Sequence, residues 1–264
     1  MNKSSLDESN FLLWPSFSQR REAAFGRLTR FFGLARRYRR ANGPVIRLVN
    51  RLGNTLESRL STLPAGLRSQ IEKVTAQALL ASYGVAARAP DLGERGPLAA
   101  VIAAGAAGGA GGLPTAVAEL PVTVTIFLNA IRAEARNAGL DPDDDRVRAE
   151  CLQVFAAGTP LAQDDGVNTS FIASRLALTG STVQNLIAAI APKFAAVLGQ
   201  KLAAQAVPVI GAISGAALNA AFLSYYREIA RVRFALLALA KIHGAEAVDA
   251  EFRLAATPPK VINA

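Results

Sequence analysis

Two long runs without a charged side chain constrain this chain more than any other feature. The first covers residues 96–118 and holds six glycines in 23 residues, and the second covers residues 202–226. About 20 consecutive apolar residues are enough to cross a bilayer. Both runs, however, consist mainly of small residues and contain a proline, a composition that also suits two helices packed closely together. Whether these runs lie in lipid or in a protein core therefore decides the class of protein.

The composition of the chain favours helices throughout. Hydrophobic residues make up 51% of the 264 residues but aromatic residues only 6%, so the apolar mass is mainly alanine, leucine and valine. Alanine and leucine are the strongest helix formers, and no segment shows the alternation that is typical of strands. We expect an all-α protein, a single multi-helix domain with a central pair of Ala/Gly-rich apolar helices. We divide it into a basic N-terminal extension with an amphipathic helix (1–42), the main helical domain (43–256) and a loose tail (257–264).

Small residues in and near the two runs are expected to set how this central pair packs. Glycines spaced four residues apart let two helix backbones approach each other closely, and proline bends or ends a helix. The residues predicted to serve helix packing are Gly108, Gly109, Gly111, Gly112, Pro121, Pro208, Gly211 and Gly215.

Two polar residues stand inside otherwise apolar sequence, Glu119 and Asn219. A buried polar group needs a hydrogen-bond partner, because burial without one is costly. One interpretation is a structural hydrogen bond that bridges helices. The other is contact with a ligand or an ion inside a membrane-facing cavity.

The net charge of +9 lies entirely in the first part of the chain. Residues 1–100 carry 16 basic and 7 acidic side chains, whereas residues 101–264 carry 13 of each. Such asymmetry favours an anionic partner, either a membrane surface or a nucleic acid. The spacing from about residue 18 to residue 40 predicts a helix with a Phe/Leu face and a basic face, a type that lies in membrane interfaces. The expected membrane-surface residues are Arg27, Arg30, Arg36, Arg37, Arg39 and Arg40.

The same helix has a second interpretation, in which its apolar face packs on the domain and its basic face is solvated. Nucleic-acid binding is disfavoured, because no helix-turn-helix, RNA-binding or zinc signature accompanies the arginines.

No pattern in the sequence predicts catalysis, a metal or a cofactor. His243 and Cys151 are the only histidine and cysteine, so a zinc site with three or four nitrogen and sulfur ligands is not expected. The glycines also lack a phosphate-binding pattern. The acidic stretch that starts at Asp141 instead predicts a helix start, with Asp141 as the N-cap and Pro142 as the first helical residue.

Two blocks of sequence resemble the EcsC protein family. The first joins the glycines of 108–112, the step Ala118-Glu119-Leu120-Pro121 and the acidic helix start at 140–144. The second is the pattern of 208–222, with Pro208, Gly211, Gly215 and Asn219. The resemblance covers about residues 50–255, and the family more often has aspartate at the position of Glu119, which keeps the charge.

The resemblance implies membrane association but no enzymatic reaction. The founding member is encoded beside an ABC transporter, so a membrane transporter or another membrane protein is an expected partner along with anionic lipids. We therefore expect a non-enzymatic protein held peripherally on the cytoplasmic face of a membrane. Three alternatives stay open: an integral protein spanning twice through the uncharged runs, a hydrolase or peptidase acting at the membrane, and a nucleic-acid-binding protein.

Overall fold

The computed structural model describes residues 29–38, 40–41, 65–85, 93, 95–110, 113–157, 183–205 and 211–256, and this part of the chain is helical with short connections. The all-α prediction is thus confirmed. The helices are α1 (29–38, continuing at 40–41), α2 (Ala65–Val85), α3 (Gly96–Ala110), α4 (Leu113–Asn137), α5 (Asp145–Gln153), α6 (Val183–Gln205), α7 (Gly211–His243) and α8 (Ala245–Ala256). A 3₁₀ turn, Val154–Ala157, follows α5.

Helices α3 and α7 form the most extensive helix–helix contact. They come from the first and the second uncharged run, so the predicted central pair of Ala/Gly-rich helices is confirmed. Gly105 of α3 faces the backbone of Gly215 in α7, an approach that leaves no room for a side chain. Gly108 and Gly109 are also buried in α3, and Gly211 opens α7.

Three residues of the predicted packing set, Gly111, Gly112 and Pro208, lie outside the described residues. Pro121 is an interior residue of α4 with an exposed ring. The hydroxyl of Thr125 donates to its carbonyl oxygen at 2.8 Å.

Neither uncharged run coincides with one membrane-length helix. The described residues of the first run fall in α3 and α4, and those of the second in α6 and α7. One helix in the described ranges, Thr115–Asn137 within α4, is long and apolar enough to cross a membrane, with a mean hydropathy of 1.4. Of its most apolar window, 67% is buried by other helices. This segment also holds three charged residues whose side chains are buried, Glu119, Arg132 and Glu134.

Helix α1 lies on a second, smaller core formed with α7 and α8. Phe31 and Ala35 are fully buried there, and Tyr38 meets Phe252 edge-on with ring centroids 6.2 Å apart. Part of the apolar face predicted for this helix is therefore used inside the protein. Phe32, by contrast, is 56% exposed.

The start of α5 differs from the prediction by three residues. Asp144 is the N-cap, and its carboxylate accepts from the backbone amides of Arg146 at 2.8 Å and Val147 at 3.3 Å. Asp141 instead accepts from the amide of Asp143 in the preceding turn. An aspartate cluster offers several equivalent caps, and the turn geometry decides among them.

Candidate functional site

The first polar cluster of the interior joins α3, α4 and α7 around Glu119. The Asn219 amide nitrogen donates to Oε1 of Glu119 at 2.7 Å and to the backbone oxygen of Val101 at 3.0 Å. The Thr123 hydroxyl, one turn after Glu119, also donates to Oε1. One buried carboxylate and one buried amide thus tie three helices together, and we call this set the Glu119 junction.

The glycines of α3 make room for the Glu119 junction. A Cβ atom at Gly105 would clash with the Gly215 carbonyl and lie 2.7 Å from the Asn219 amide nitrogen. A Cβ atom at Gly108 would lie 2.9 Å from Oε2 of Glu119. Glycine is thus needed here for close approach, because the carboxylate and the amide occupy the space that a side chain would fill.

The orientation of Asn219 follows from its neighbours. The Val101 carbonyl only accepts hydrogen bonds, so the amide nitrogen must face it. The amide oxygen is then left without a hydrogen-bond partner among the described residues. The structure thus brings Glu119 and Asn219 together, as the structural interpretation of these two residues requires.

A second buried carboxylate, Glu134, lies near the end of α4. Its Oε1 accepts from Nε of Arg227 at 3.1 Å, and its Oε2 accepts from Nε of Arg231 at 2.9 Å. Arg231 also bonds Glu228 at 2.6 Å, and Glu228 pairs with Arg37 of α1 at 3.4 Å. We call these five residues the Glu134 cluster.

Three members of the Glu134 cluster, Arg227, Glu228 and Arg231, line a surface groove of about 160 Å³ between α3 and α7. The other lining residues are mostly apolar. The whole lining, which we call the α3–α7 groove, is Leu98, Ala220, Leu223, Ser224, Arg227, Glu228 and Arg231.

Sequence reasoning missed Glu134, Arg227 and Arg231, because they stand among other charged residues and read as a solvated helix face. The available signal was the spacing of Arg227 and Arg231, which are four residues apart and therefore share one side of a helix.

A larger cleft of about 440 Å³ lies between α5, the end of α7 and the start of α8. Its charged lining consists of three carboxylates, Asp141, Asp144 and Glu150, and two cations, Arg146 and Lys241. Glu150 is already bound, because Arg233 donates to it through Nε at 2.5 Å and to Gln153 at 2.6 Å. This cleft therefore offers no excess charge of either sign to a ligand.

Two further reactive side chains, Cys151 and His243, lie within the described residues. Burial raises the pKa of the Cys151 thiol to about 12, and a nucleophilic cysteine needs a lowered pKa. His243 is exposed at the end of α7. Within the described ranges, no three histidine, cysteine or acidic side chains group as a metal site would.

Four of the six arginines that are predicted to face the membrane surface lie within the described residues. Arg30, Arg36, Arg37 and Arg40 are exposed on α1. Arg27 and Arg39 lie outside the described residues.

The model of the EcsC protein family matches residues 91–236, more than half of the chain. The match includes the Glu119 junction, the α3–α7 groove and Glu134, and it leaves out α1, α2 and α8. No curated protein and no solved structure matches the chain. The chain belongs to the EcsC protein family.

Proposed function

We propose that this member of the EcsC protein family docks peripherally on the cytoplasmic face of an anionic membrane and catalyses no reaction. The docking surface consists of the exposed face of α3 and the arginines of α1. Family membership carries the expectation of a membrane role, and the chemistry of these two helices supports it.

The observation that carries the proposal is the exposed side of α3. Leu98 and Ile102 are each 41% exposed, and four exposed alanines share the helix, which contains no charged side chain. Val122 on the neighbouring helix α4 is 54% exposed. A helix of a soluble domain normally turns charged residues to water, whereas a contiguous apolar surface marks an interaction site.

Arginines border this apolar surface. Arg37 of α1 pairs with Glu228, whose side chain lines the same groove as Leu98. Three further exposed arginines, Arg30, Arg36 and Arg40, lie on α1. Each basic residue near an anionic leaflet contributes about 1 kcal/mol of attraction, so this helix supplies enough for reversible binding without a membrane span.

Peripheral docking accounts for these features better than the alternatives do. The division of the uncharged runs among four helices disfavours two membrane spans. The engagement of Glu119 with Thr123 and Asn219 favours a structural carboxylate over a general acid or base. An apolar surface beside the arginines suits lipid better than nucleic acid, whose binding is dominated by phosphate contacts. A membrane transporter or another membrane protein remains an expected partner.

Vesicle flotation tests the proposal with one matched pair of variants. We expect the protein to float with vesicles of equimolar phosphatidylglycerol and phosphatidylcholine, and to stay behind with phosphatidylcholine alone. Leu98→Asp puts a charge into the α3 face and should abolish most of the flotation. Leu254→Asp makes the same change at a residue of α8 that is 78% exposed, and it should have no effect.

Arg36→Glu with Arg40→Glu should weaken flotation in the same assay, because both charges on α1 are reversed. Wild-type protein that does not float with anionic vesicles contradicts the proposal. Equal effects of Leu98→Asp and Leu254→Asp contradict the assignment of α3 as the docking face.

A further inference from the structure

The cleft between α5, the end of α7 and the start of α8 has the size and the lining of a small-molecule site. Its volume of about 440 Å³ lies within the range of about 300–1,000 Å³ that is typical of ligand pockets. Such pockets combine an apolar lining with a few polar groups that orient the ligand. We call this one the α5–α8 cleft, and its aliphatic lining residues are Leu140, Val147, Leu237, Ala240 and Ala245.

The α5–α8 cleft has an acidic side and a cationic side. Asp141 and Asp144 precede α5 and Glu150 lies within it, whereas Lys241 stands near the end of α7. Ala245, four residues after Lys241, begins α8. The positive end of this helix dipole therefore lies on the same side of the cleft as Lys241.

The charges of the two sides balance but do not meet. Arg233 neutralises Glu150, and Arg146 at the start of α5 offsets one of the two aspartates. The acidic side thus keeps one negative charge against the positive charge of Lys241. Within the described ranges, neither Arg146 nor Lys241 forms an ion pair. A net-neutral ligand with a cationic and an anionic group fits this arrangement, because each group then faces the opposite charge.

Glu150 indicates which kind of cation the cleft accepts. Its side chain is 6% exposed, and Arg233 engages only one of its oxygens, donating to Oε2 through Nε at 2.5 Å. Oε1 has no hydrogen-bond partner among the described residues. A buried carboxylate oxygen needs a donor, which a primary ammonium supplies. A quaternary ammonium donates no hydrogen bond and binds aromatic faces, whereas no aromatic side chain is among the described residues that line the cleft.

We propose that the α5–α8 cleft binds a lipid with a phosphoethanolamine head group. The ammonium donates to Oε1 of Glu150, and the phosphate faces Lys241 and the first amides of α8, which have no acceptor within the helix. The acyl chain packs on the aliphatic lining. Two carbon atoms separate the ammonium from the phosphate in this head group, which suits charges that do not meet across the cleft. The proposal goes beyond membrane docking and does not depend on the α3 face.

Titration calorimetry with a soluble lipid tests the cleft. The probe is dihexanoyl phosphatidylethanolamine below its micelle concentration, titrated into the full-length protein. We expect it to bind at least about tenfold more tightly than dihexanoyl phosphatidylcholine, whose quaternary ammonium cannot donate to Glu150. Free phosphoethanolamine should also bind at least about tenfold more weakly than the lipid, because it lacks the apolar chains.

Substitutions on the two sides of the cleft extend the test. Lys241→Glu removes no buried contact, because Lys241 is exposed, and it should weaken binding of the ethanolamine lipid at least about tenfold. Lys73→Glu, at an exposed lysine of α2, is the matched control and should leave binding unchanged. Glu150→Gln keeps the size of the side chain without its charge, so it should reduce the preference for ethanolamine over choline. Thermal melts show whether each variant folds.

The outcomes separate the cleft from the docking proposal. Equal binding of the ethanolamine and choline lipids overturns the contact between the ammonium and Glu150. Free phosphoethanolamine that binds as tightly as the lipid overturns the assignment to a lipid. The absence of binding by wild type, or equal binding by wild type and Lys241→Glu, overturns the site. Leu98→Asp should abolish most of the flotation and leave this titration unchanged, so failure of the cleft and failure of docking are distinguishable.

Discussion

Helix α4 carries two buried carboxylates, and the surrounding helices compensate their charges in different ways. Glu119, near the start of the helix, meets a hydroxyl from Thr123 and an amide from Asn219. Glu134, near the end, meets two guanidinium groups. The donors to the first carboxylate from Thr123 and Asn219 are uncharged and lie inside the contact of α3, α4 and α7. The second has ionic partners at the edge of a surface groove.

The difference separates a junction of uncharged donors in the interior from an ion-pair network near the surface. The uncharged donors of Thr123 and Asn219 hold Glu119 in the interior, and Asn219 connects it to a third helix. Glu134 and Glu228 together match the charges of Arg227 and Arg231, so the second site is an ion-pair network beside the α3–α7 groove.

The largest effect is expected from Gly105→Ala, which disturbs the Glu119 junction. The added methyl would clash with the Gly215 carbonyl and approach the Asn219 amide. Both α3 and α7 would have to shift, so we expect a loss of about 3 kcal/mol in the free energy of unfolding, measured by urea denaturation.

Gly84→Ala in α2 is the matched control for Gly105→Ala. No atom lies within 4 Å of a Cβ atom built there, so alanine should stabilise the helix by about 0.5–1 kcal/mol. Equal effects of the two substitutions would show that α3 and α7 do not approach each other as closely as described.

Glu134→Gln should cost about 2 kcal/mol, because hydrogen bonds to charged groups contribute about 1.5–3 kcal/mol each and this carboxylate serves two arginines. The loss should shrink in high salt, since Arg227 and Arg231 are partly exposed and salt screens such pairs. Urea denaturation at low and high salt measures both effects. A loss that does not change with salt would contradict an ionic cluster.

Glu119→Gln should cost less, about 1 kcal/mol, since glutamine keeps a carbonyl oxygen that accepts from Asn219 and Thr123. Its cost should depend less on salt than that of Glu134→Gln, because Thr123 and Asn219 are uncharged donors. The comparison of the two carboxylates fails if Glu119→Gln is the costlier and more salt-sensitive change in the same denaturation experiment.

Tyr226→Phe should give the smallest effect. It tests a buried polar group that, unlike the two carboxylates, has no hydrogen-bond partner among the described residues. The Tyr226 hydroxyl is buried among aromatic rings and has no hydrogen-bond partner among the described residues. Removing it should be neutral or should stabilise the protein by up to about 1 kcal/mol, measured as a small rise in Tm at neutral pH.

Tyr226→Phe should also change how the stability of the protein depends on pH. Burial raises the pKa of Tyr226 well above its ordinary value, so the folded protein keeps this proton after the unfolded chain has lost it. The protonated hydroxyl contributes fully to the stability of the fold below about pH 10, the pKa of tyrosine in the unfolded chain. This contribution is lost as the pH rises further. Tyr226→Phe should therefore lose less stability than wild type in alkali, and an identical alkaline loss would contradict the burial of this hydroxyl.

The sequence predicts the parts of this molecule in which one signal dominates. Composition predicts the helices, and the two small-residue runs predict the central pair of α3 and α7. Glu119 and Asn219 stand out because each is polar in apolar surroundings, and they do meet. Their meeting could not be derived from spacing, since they are 100 residues apart and only tertiary packing joins them.

Glu134 shows why the rest could not be predicted. It lies between Arg132 and Arg136 in the sequence, where a carboxylate normally faces water. The structure buries it because α7 brings Arg227 and Arg231 to it from more than 90 residues away. The prediction of Asp141 as N-cap failed for a related reason: four aspartates compete, and the geometry of the turn selects Asp144.

Cell fractionation tests the central claim most directly. Membranes that carry the protein are washed with high salt, then with alkaline carbonate, then with detergent, and the protein is followed through each step. Peripheral docking predicts that the protein sediments with membranes and is released by salt or carbonate. Release only by detergent would show that the uncharged runs insert in lipid. Protein found wholly in the soluble fraction would contradict membrane docking.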